Sequence, residues 1–143
     1  MNYRLNLGDI TLPNTWTDET IYIFKAPEEE GYNVVVNQSP IPHGIDGEDF
    51  LNEQYLLLNE HLTDYHEISK EKPKSNDPVQ IVEYDWRSPE GKAFQINMMV
   101  VSGDNTLLSF TATSTNAFTD EQKAVVMDIF RSYQGLKKGK DSQ

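Results

Sequence analysis

Hydrophobic residues alternate with polar ones at every second position in several short segments of the chain. This two-residue period is typical of β-strands, whose successive side chains point to opposite faces. The pattern predicts a strand and loop within residues 1–18, strands at 20–25, 32–38, 79–87, 93–101 and 106–113, and a further strand beginning near residue 65. Turn residues separate these strands, so residues 20–38 should form a hairpin and residues 79–113 a three-stranded meander.

Two other segments have the period of amphipathic helices. The first begins after Asp46, a residue type that caps helix N-termini, and extends to residue 63 or 64. The residues that share its apolar face are Phe50, Gln54, Leu57, Leu58, His61 and Tyr65. The second opens with Thr119 and Gln122 in the spacing of a capping box and ends at Gly135. Its inward stripe consists of Gln122, Val126, Ile129, Phe130 and Tyr133.

The order of these elements predicts an α+β domain, in which an antiparallel β-sheet packs with two main helices. The chain has 143 residues, which is enough for one domain of ordinary size. Apolar residues make up 37% of the chain, so a packed core can form. We expect residues 1–134 to form a single domain and residues 135–143 to form a short, flexible, basic tail.

Charge and composition disfavour several classes of function. With 23 acidic and 12 basic residues the net charge is −11, which opposes binding to nucleic-acid backbones and anionic lipid surfaces. The chain has no cysteine, which excludes disulfides, thiolate metal sites and cysteine nucleophiles. No window approaches the ~20 apolar residues of a membrane-spanning helix, and the N-terminus lacks the apolar region of a secretory signal. These features predict a soluble cytoplasmic protein without direct membrane insertion.

The sequence offers little catalytic chemistry. His61 and His66 are five residues apart, about 140° around a helix, so they do not converge on a metal ion as an i, i+4 pair would. His43 could bind a cation with Asp46 and Asp49, although a solvated loop before a helix explains these residues more simply. No serine stands in a Gly-x-Ser-x-Gly elbow, and no glycine-rich phosphate loop is present. We therefore expect a protein that is not an enzyme and has neither a metal site nor a cofactor.

Three placements are unusual for an ordinary domain. Gln54 lies within the apolar arc of the first helix, where an unpaired buried amide costs about 1–3 kcal/mol. Its amide either hydrogen-bonds the sheet backbone or is kept for a ligand. Gln95 and Asn97 share one face of their strand, for which a polar outer face is the simplest explanation. The 20–38 hairpin is apolar on both faces, so it needs cover from within the domain or from a partner.

Several motifs, taken together, resemble the DcrB-related proteins and, more narrowly, the Eag chaperones of type VI secretion effectors. The motifs are MNYRLNLGDITLP at 1–13, Trp16, TIYIF at 20–24, NVVV at 33–36, Phe50 with Gln54, YxWR at 84–87, Gln95 with Asn97, FTAT at 110–113 and FTxEQ at 118–122. They span residues 1–133, nearly the whole chain. Their common order and spacing carry the resemblance, since no single motif is diagnostic.

The resemblance implies a fold similar to Mog1/PsbP and a cytoplasmic, non-enzymatic homodimer whose two sheets form an apolar groove. Such chaperones hold the Gly/Ala-rich N-terminal transmembrane helices of a secreted effector protein, often an Rhs or PAAR-containing toxin, until export. Matched by position, the implied effector-helix groove consists of Ile21, Ile23, Val34, Val36, Gln54, Leu58, Leu62, Gln95 and Asn97. The choice of Val34 and Val36 over Val35 depends on strand register.

Two other functions stay open at this point. One is a DcrB-like or Mog1-like binding module for a soluble protein partner, which would be a monomer with a mainly polar contact surface. The other is a small hydrolase built on His43 or His61. That function requires a polar pocket around the histidine.

Overall fold

The computed structural model of the protein describes residues 2–5, 8–17, 19–103 and 105–133, with the backbone alone for residues 2–5. Its strands are β1 Asn2–Leu5, β2 Gly8–Thr11, β3 Ile21–Lys25, β4 Tyr32–Pro40, β5 His66–Glu71, β6 Val79–Ser88, β7 Gly91–Ser102 and β8 Thr106–Ser114. Its helices are α1 Gly47–His61 and α2 Asp120–Arg131, and a single 3-10 turn covers Glu28–Glu30.

Six strands form one antiparallel sheet in the order β3-β4-β8-β7-β6-β5. The predicted meander, β6 to β8, occupies one side of the sheet, and the β3-β4 hairpin extends it at one edge. Between β4 and β5, α1 carries the chain to the opposite edge. The predicted α+β class, an antiparallel sheet with two main helices, is confirmed.

The N-terminal residues form more structure than the single strand predicted for residues 1–18. β1 and β2 pair with each other in a separate two-stranded antiparallel sheet. Leu5 lies opposite Gly8, whose φ of 148° is a backbone conformation that favours glycine. This glycine allows the chain to reverse between the two strands.

The two faces of the large sheet follow from its register, because residues directly opposite each other in antiparallel strands share a face. On one face, here called the α2 face, α2 covers the larger core. The buried residues of that core are Tyr32, Val34, Val79, Ile81, Ile96, Met98, Val100, Ala112, Phe118, Val126 and Phe130. On the other face, here called the α1 face, Phe50 and Leu51 pack against Ile41, Val101 and Leu107.

The predicted start of α1 is confirmed, and its end comes earlier than predicted. The Asp46 carboxylate accepts hydrogen bonds from the backbone N–H groups of Glu48, at 3.1 Å, and Asp49, at 3.3 Å. The helix ends at His61 rather than at residue 63 or 64, because Leu62 is already extended with φ −98° and ψ 123°.

The predicted capping box of α2 is also confirmed. Thr119 accepts from the Gln122 backbone N–H at 3.1 Å, and the Gln122 side chain accepts from the Thr119 N–H at 3.0 Å. Val126 and Phe130 are fully buried as predicted. Ile129 was expected in the same stripe but is 41% exposed, since it lies about 60° around the helix from Val126.

The C-terminal predictions fall partly beyond the region that the structure describes. α2 ends at Arg131, with Ser132 as its C-cap. The predicted helix end at Gly135 and the predicted tail at residues 135–143 lie outside the described residues. The division into a domain over 1–134 and a tail over 135–143 therefore stays a prediction.

Candidate functional site

Part of the α1 face has no helix above it. The six strands lie about 4.8 Å apart, so the sheet is much wider than one helix, whose diameter is about 10 Å. One helix therefore cannot cover the whole face. α1 lies toward β5, where the Tyr55 hydroxyl donates to Glu67 at 2.5 Å and the Lys70 ammonium lies 3.5 Å from the Tyr55 ring centre. The area toward β3 is the candidate site, here called the open face. It consists of Ile21, Ile23, Lys25, Asn33, Val35, Asn37, Gln95, Ser109, Thr111 and Thr113.

The edge strand β3 is exposed on both sides of the sheet. Ile21 and Ile23 on the open face are 57% and 63% exposed. Tyr22 and Phe24, on the α2 face, stack on each other with ring centres 6.3 Å apart and are exposed to a similar degree. Neighbouring large apolar side chains with this exposure are typical of interaction surfaces. The domain thus leaves β3 without the cover that its sequence requires.

The register corrects one part of the predicted groove. Ile23 lies opposite Val35, so Val35 belongs to the open face together with Ile21 and Ile23. Val34 and Val36 point to the other face, where Val34 is buried in the α2 core and Val36 packs against it. Their predicted place beside Ile21 and Ile23 is wrong, because a shift of one residue along a strand reverses the face.

Two clefts lie at opposite ends of β3 and β4. One, of about 660 Å³, is lined in part by Lys25, Asn33 and Thr113. The other, of about 750 Å³, is lined in part by Ile21 and Asn37. Each cleft meets the open face at one end, so the apolar centre of this surface is continuous with a more polar recess on either side.

The helix residues of the predicted groove lie along one side of α1. Gln54, Leu58 and Leu62 are half-buried, as is Leu57. Gln54 is about 100° around the helix from Tyr55, which faces β5, so its side chain is directed away from that edge. Among the described residues the Gln54 amide has no hydrogen-bond partner, so it does not cap the sheet backbone and is free to bind a ligand.

Gln95 lies on the predicted side of the sheet, and its amide is engaged by the chain itself. The indole N–H of Trp86 donates to Gln95 Oε1 at 2.9 Å. Gln95 Nε2 donates in turn to the Thr113 hydroxyl oxygen at 3.0 Å. The side chain is half-buried and forms a bridge from β6 to β8.

Asn97 shares the face of Gln95, as predicted, but it is 3% exposed. Its Nδ2 donates to the hydroxyl oxygens of Ser109, at 3.0 Å, and Thr111, at 2.9 Å, and to the Phe110 carbonyl at 3.3 Å. Its Oδ1 is buried and has no partner among the described residues. A group this deeply buried supports the surface from below rather than forming part of it.

Sequence reasoning missed several residues of the open face, which are Asn33, Val35, Asn37, Ser109, Thr111 and Thr113, and it also missed the contact of Trp86 with Gln95. A signal for the hydroxyl residues was present, since Ser109, Thr111 and Thr113 recur with the two-residue period of one strand face. The pairing of that face with Gln95 and Asn97 depends on the β7-β8 register, which the sequence does not specify.

Several titratable groups outside the open face form ion pairs. On the α2 face the buried Asp85 carboxylate lies 3.3 Å from His66 Nδ1 and 3.6 Å from the Lys92 ammonium. His43 and His61 are exposed, and neither contacts another titratable side chain within the described part of the chain. The polar pocket that a histidine-based hydrolase requires is not formed around either of them there.

Two tyrosines pack together near the end of α1, the half-buried Tyr65 and the buried Tyr84. Tyr65 and Tyr84 pack with ring centres 5.3 Å apart. Burial, followed by the charge of Glu67, raises the pKa of Tyr65 to about 12. Burial also raises the pKa of Tyr84, with a smaller effect from Tyr65. Both hydroxyls are therefore neutral at physiological pH.

Metal sites and membrane spans are considered over the described ranges, 2–5, 8–17, 19–103 and 105–133. No group of three or more His, Asp or Glu side chains there is placed to hold a metal ion. No helix in those ranges is long and apolar enough to span a membrane.

Comparison with known proteins gives a matching family model and a similar crystal structure. A family model described as DcrB matches residues 8–132. The crystal structure of PA94, a protein of unknown function from Pseudomonas aeruginosa, is similar, with a TM-score of 0.77 and 16% sequence identity. The similarity covers 92% of this chain and 94% of that chain. Comparison with curated proteins gave no significant match.

Proposed function

Because the chain belongs to the DcrB family, we propose that it is a binding module of the Eag type, a chaperone for a type VI secretion effector. In the cytoplasm it would bind the N-terminal transmembrane helices of an Rhs or PAAR-type effector and shield them before export. This role requires no catalysis and no cofactor. The expected homodimer is part of the same proposal.

The observation that carries the proposal is the exposed apolar centre of the open face. Ile21 and Ile23 present more than half of their surface to solvent, beside Val35. A transmembrane helix in water exposes apolar surface whose burial yields about 25 cal/mol per Å². Binding it on this face would cover apolar area on both partners at once.

The dimensions and polarity of the site also fit such a partner. The area left free by α1 spans β3, β4 and the adjoining part of β8, about 10 Å across, which is close to the diameter of one helix. The polar groups beside Val35 on β4 and β8 are neutral amides and hydroxyls, and the exposed Lys25 lies at the end of the face, opposite Asn33. A helix could therefore bind across the apolar centre without desolvating a carboxylate, with the Lys25 ammonium left at the rim. The net charge of −11 would keep a protein with such a surface in solution.

The substitution Ile23→Glu tests the proposal, because it places a carboxylate in the apolar centre. The probe is a fluorescein-labelled helix of about 20 Leu, Ala and Gly residues with terminal lysines, near the length that spans a bilayer. We expect its affinity, measured by fluorescence anisotropy at physiological salt, to fall at least about tenfold, since an unpaired carboxylate would be buried.

The matched control is Leu56→Glu. Leu56 is 58% exposed, close to the exposure of Ile21, but it lies on α1 outside the open face. We expect this variant to bind the probe as the wild type does, and both variants to keep the native far-UV circular dichroism spectrum. Equal binding by Ile23→Glu and the wild type would contradict the proposed site. Equal losses in both variants would indicate a general effect of added charge.

A further inference from the structure

We propose that Ser109, Thr111 and Thr113 form a row of hydrogen-bond donors that makes the open face selective for helices with accessible oxygen acceptors. This inference rests on the proposed function, and it assigns the selectivity to β8 rather than to the amides of β7. Each hydroxyl can donate to a partner if it accepts, rather than donates, in its bond to the Gln95 or Asn97 amide. The orientation of the two amides therefore decides whether the three protons are available.

The orientation of the Gln95 amide is fixed by Trp86. An indole N–H can only donate, so the atom that it contacts at 2.9 Å must be the carbonyl oxygen, Oε1. The amide nitrogen then points to the Thr113 hydroxyl, 3.0 Å away. Because an amide nitrogen only donates, the Thr113 oxygen must accept this bond.

The orientation of the Asn97 amide is fixed in the opposite way, by an acceptor. The backbone carbonyl of Phe110 can only accept, so the atom 3.3 Å from it must be Nδ2. The same nitrogen lies 3.0 Å from the Ser109 hydroxyl and 2.9 Å from the Thr111 hydroxyl. Both hydroxyl oxygens therefore accept from Asn97, whose two protons are shared among three acceptors.

Each of the three hydroxyls consequently keeps its own proton for a different partner. Within the described ranges, none of these hydroxyls donates to a protein acceptor. The residues alternate along β8, so the donors recur at steps of about 6.7 Å on one face. All three are half-buried, and they lie opposite Asn37, Val35 and Asn33 of β4 in the open face.

The first two donors face a partner directly, and the third has an acceptor beside it. The Oδ1 atom of Asn33, opposite Thr113, is buried and accepts no hydrogen bond among the described residues. Because this oxygen is buried, a partner at that end reaches the Thr113 hydroxyl alone. The row as a whole recognises oxygen acceptors, including the carbonyl and hydroxyl oxygens of a helix.

An apolar helix offers such oxygens where its side chains are small. Glycine and alanine leave the backbone carbonyls accessible, and serine or threonine adds a hydroxyl, whereas leucine covers both. The structure thus assigns two roles. The β8 hydroxyls select the partner, while Trp86 and Gln95 position the Thr113 hydroxyl and Asn97 positions those of Ser109 and Thr111.

The test compares two labelled helices of equal length with identical terminal lysines. One contains only Leu and Ala, and the other carries Gly at every fourth position of one face. We expect the wild type to bind the Gly-striped helix about tenfold more tightly, a difference of about 1.4 kcal/mol. The double variant Thr111→Val, Thr113→Val, which keeps side-chain shape, should bind both helices with the affinity of the wild type for the Leu/Ala helix. Thr63→Val, at an exposed position outside the open face, should retain the preference.

The positioning role is tested by Trp86→Phe, which removes the N–H that holds Gln95. We expect the preference for the Gly-striped helix to fall while affinity for the Leu/Ala helix stays within twofold of wild type. A purely structural role would lower both affinities together and would overturn this assignment.

Results that would contradict the donor row differ from the result that would contradict the proposed function. Equal wild-type affinity for the two helices would overturn the donor row and leave the proposed function intact. Equal losses for both helices in the double valine variant would also overturn the row, since the hydroxyls would then contribute packing alone. If the wild type bound neither helix, the proposed function itself would fail, and the donor row with it.

Discussion

At the scale of single residues, the start of α1 depends on a residue without a side chain. A Cβ atom built on Gly47 would lie 2.9 Å from Val101 Cγ1 and 3.6 Å from Pro78 Cγ. Val101 is buried and packs with Phe50 and Leu51, so it has little room to move. Gly47 therefore allows α1 to approach β7 closely, and this approach sets where the helix crosses the α1 face.

We expect Gly47→Ala to lower the free energy of unfolding by about 1–2 kcal/mol, because overpacking against Val101 outweighs the better helix propensity of alanine. Urea denaturation monitored by circular dichroism measures this change. The control is Gly103→Ala, since a Cβ at Gly103 would meet no atom within 4 Å. An unchanged denaturation midpoint for Gly47→Ala would mean that the helix shifts to accommodate the methyl group.

At the scale of elements, α2 is attached at its first turn as well as through its core face. Its capping box satisfies the backbone groups at Thr119 and Gln122. The Gln122 side-chain nitrogen also donates to the Glu30 carbonyl at 3.2 Å and to the Glu30 carboxylate at 3.1 Å. One residue thus caps the helix and connects it to the turn between β3 and β4.

We expect Thr119→Ala to lower the free energy of unfolding by about 1 kcal/mol, because one N-terminal N–H of α2 loses its acceptor. Thermal denaturation of this variant beside Thr63→Ala, which changes an exposed threonine outside any cap, measures the effect. Equal melting temperatures for the two variants would show that water replaces the cap without cost.

The observed strands also show which sequence patterns predict strand positions reliably. The segments predicted at 79–87, 93–101 and 106–113 correspond to β6, β7 and β8 within two residues at each end. Their alternation arises because the two faces differ, with Ile96, Met98 and Ala112 in the core under α2 and polar residues such as Gln95 and Thr111 on the other face. The N-terminal segment was predicted as one strand and a loop, whereas the structure pairs two strands, β1 and β2, with each other.

At the scale of the whole molecule, the free energy of unfolding should fall at alkaline pH, because Tyr65 and Tyr84 have raised pKa values in the folded state. Burial holds the pKa of Tyr65 at about 12 in the folded state, against an ordinary value of 10. The unfolded chain loses this proton first, so the stabilisation is complete below pH 10 and is lost as the pH rises toward 12. The raised pKa of Tyr84 acts in the same direction.

We expect tyrosine ionisation to leave the free energy of unfolding almost unchanged up to about pH 9 and to lower it between about pH 10 and pH 12. Urea denaturation across this range, with tyrosinate absorbance as a second measurement, follows the effect. Tyr65→Phe should reduce the slope. It should not lower stability at neutral pH, since the buried Tyr65 hydroxyl has no partner among the described residues. An unchanged slope in this variant would contradict the assignment to Tyr65.

The sequence by itself determined the meander strands of the large sheet, the N-terminal caps of both helices and the double-sided apolar character of β3, because each arises from residues close together in the chain. The α+β class followed from the order of those elements. Only the tertiary structure decided that Val35, rather than Val34 and Val36, accompanies Ile21 and Ile23. It also decided that Trp86 and the β8 hydroxyls engage the amides of Gln95 and Asn97. These outcomes depend on the pairing of distant strands, where a shift of one residue exchanges the two faces.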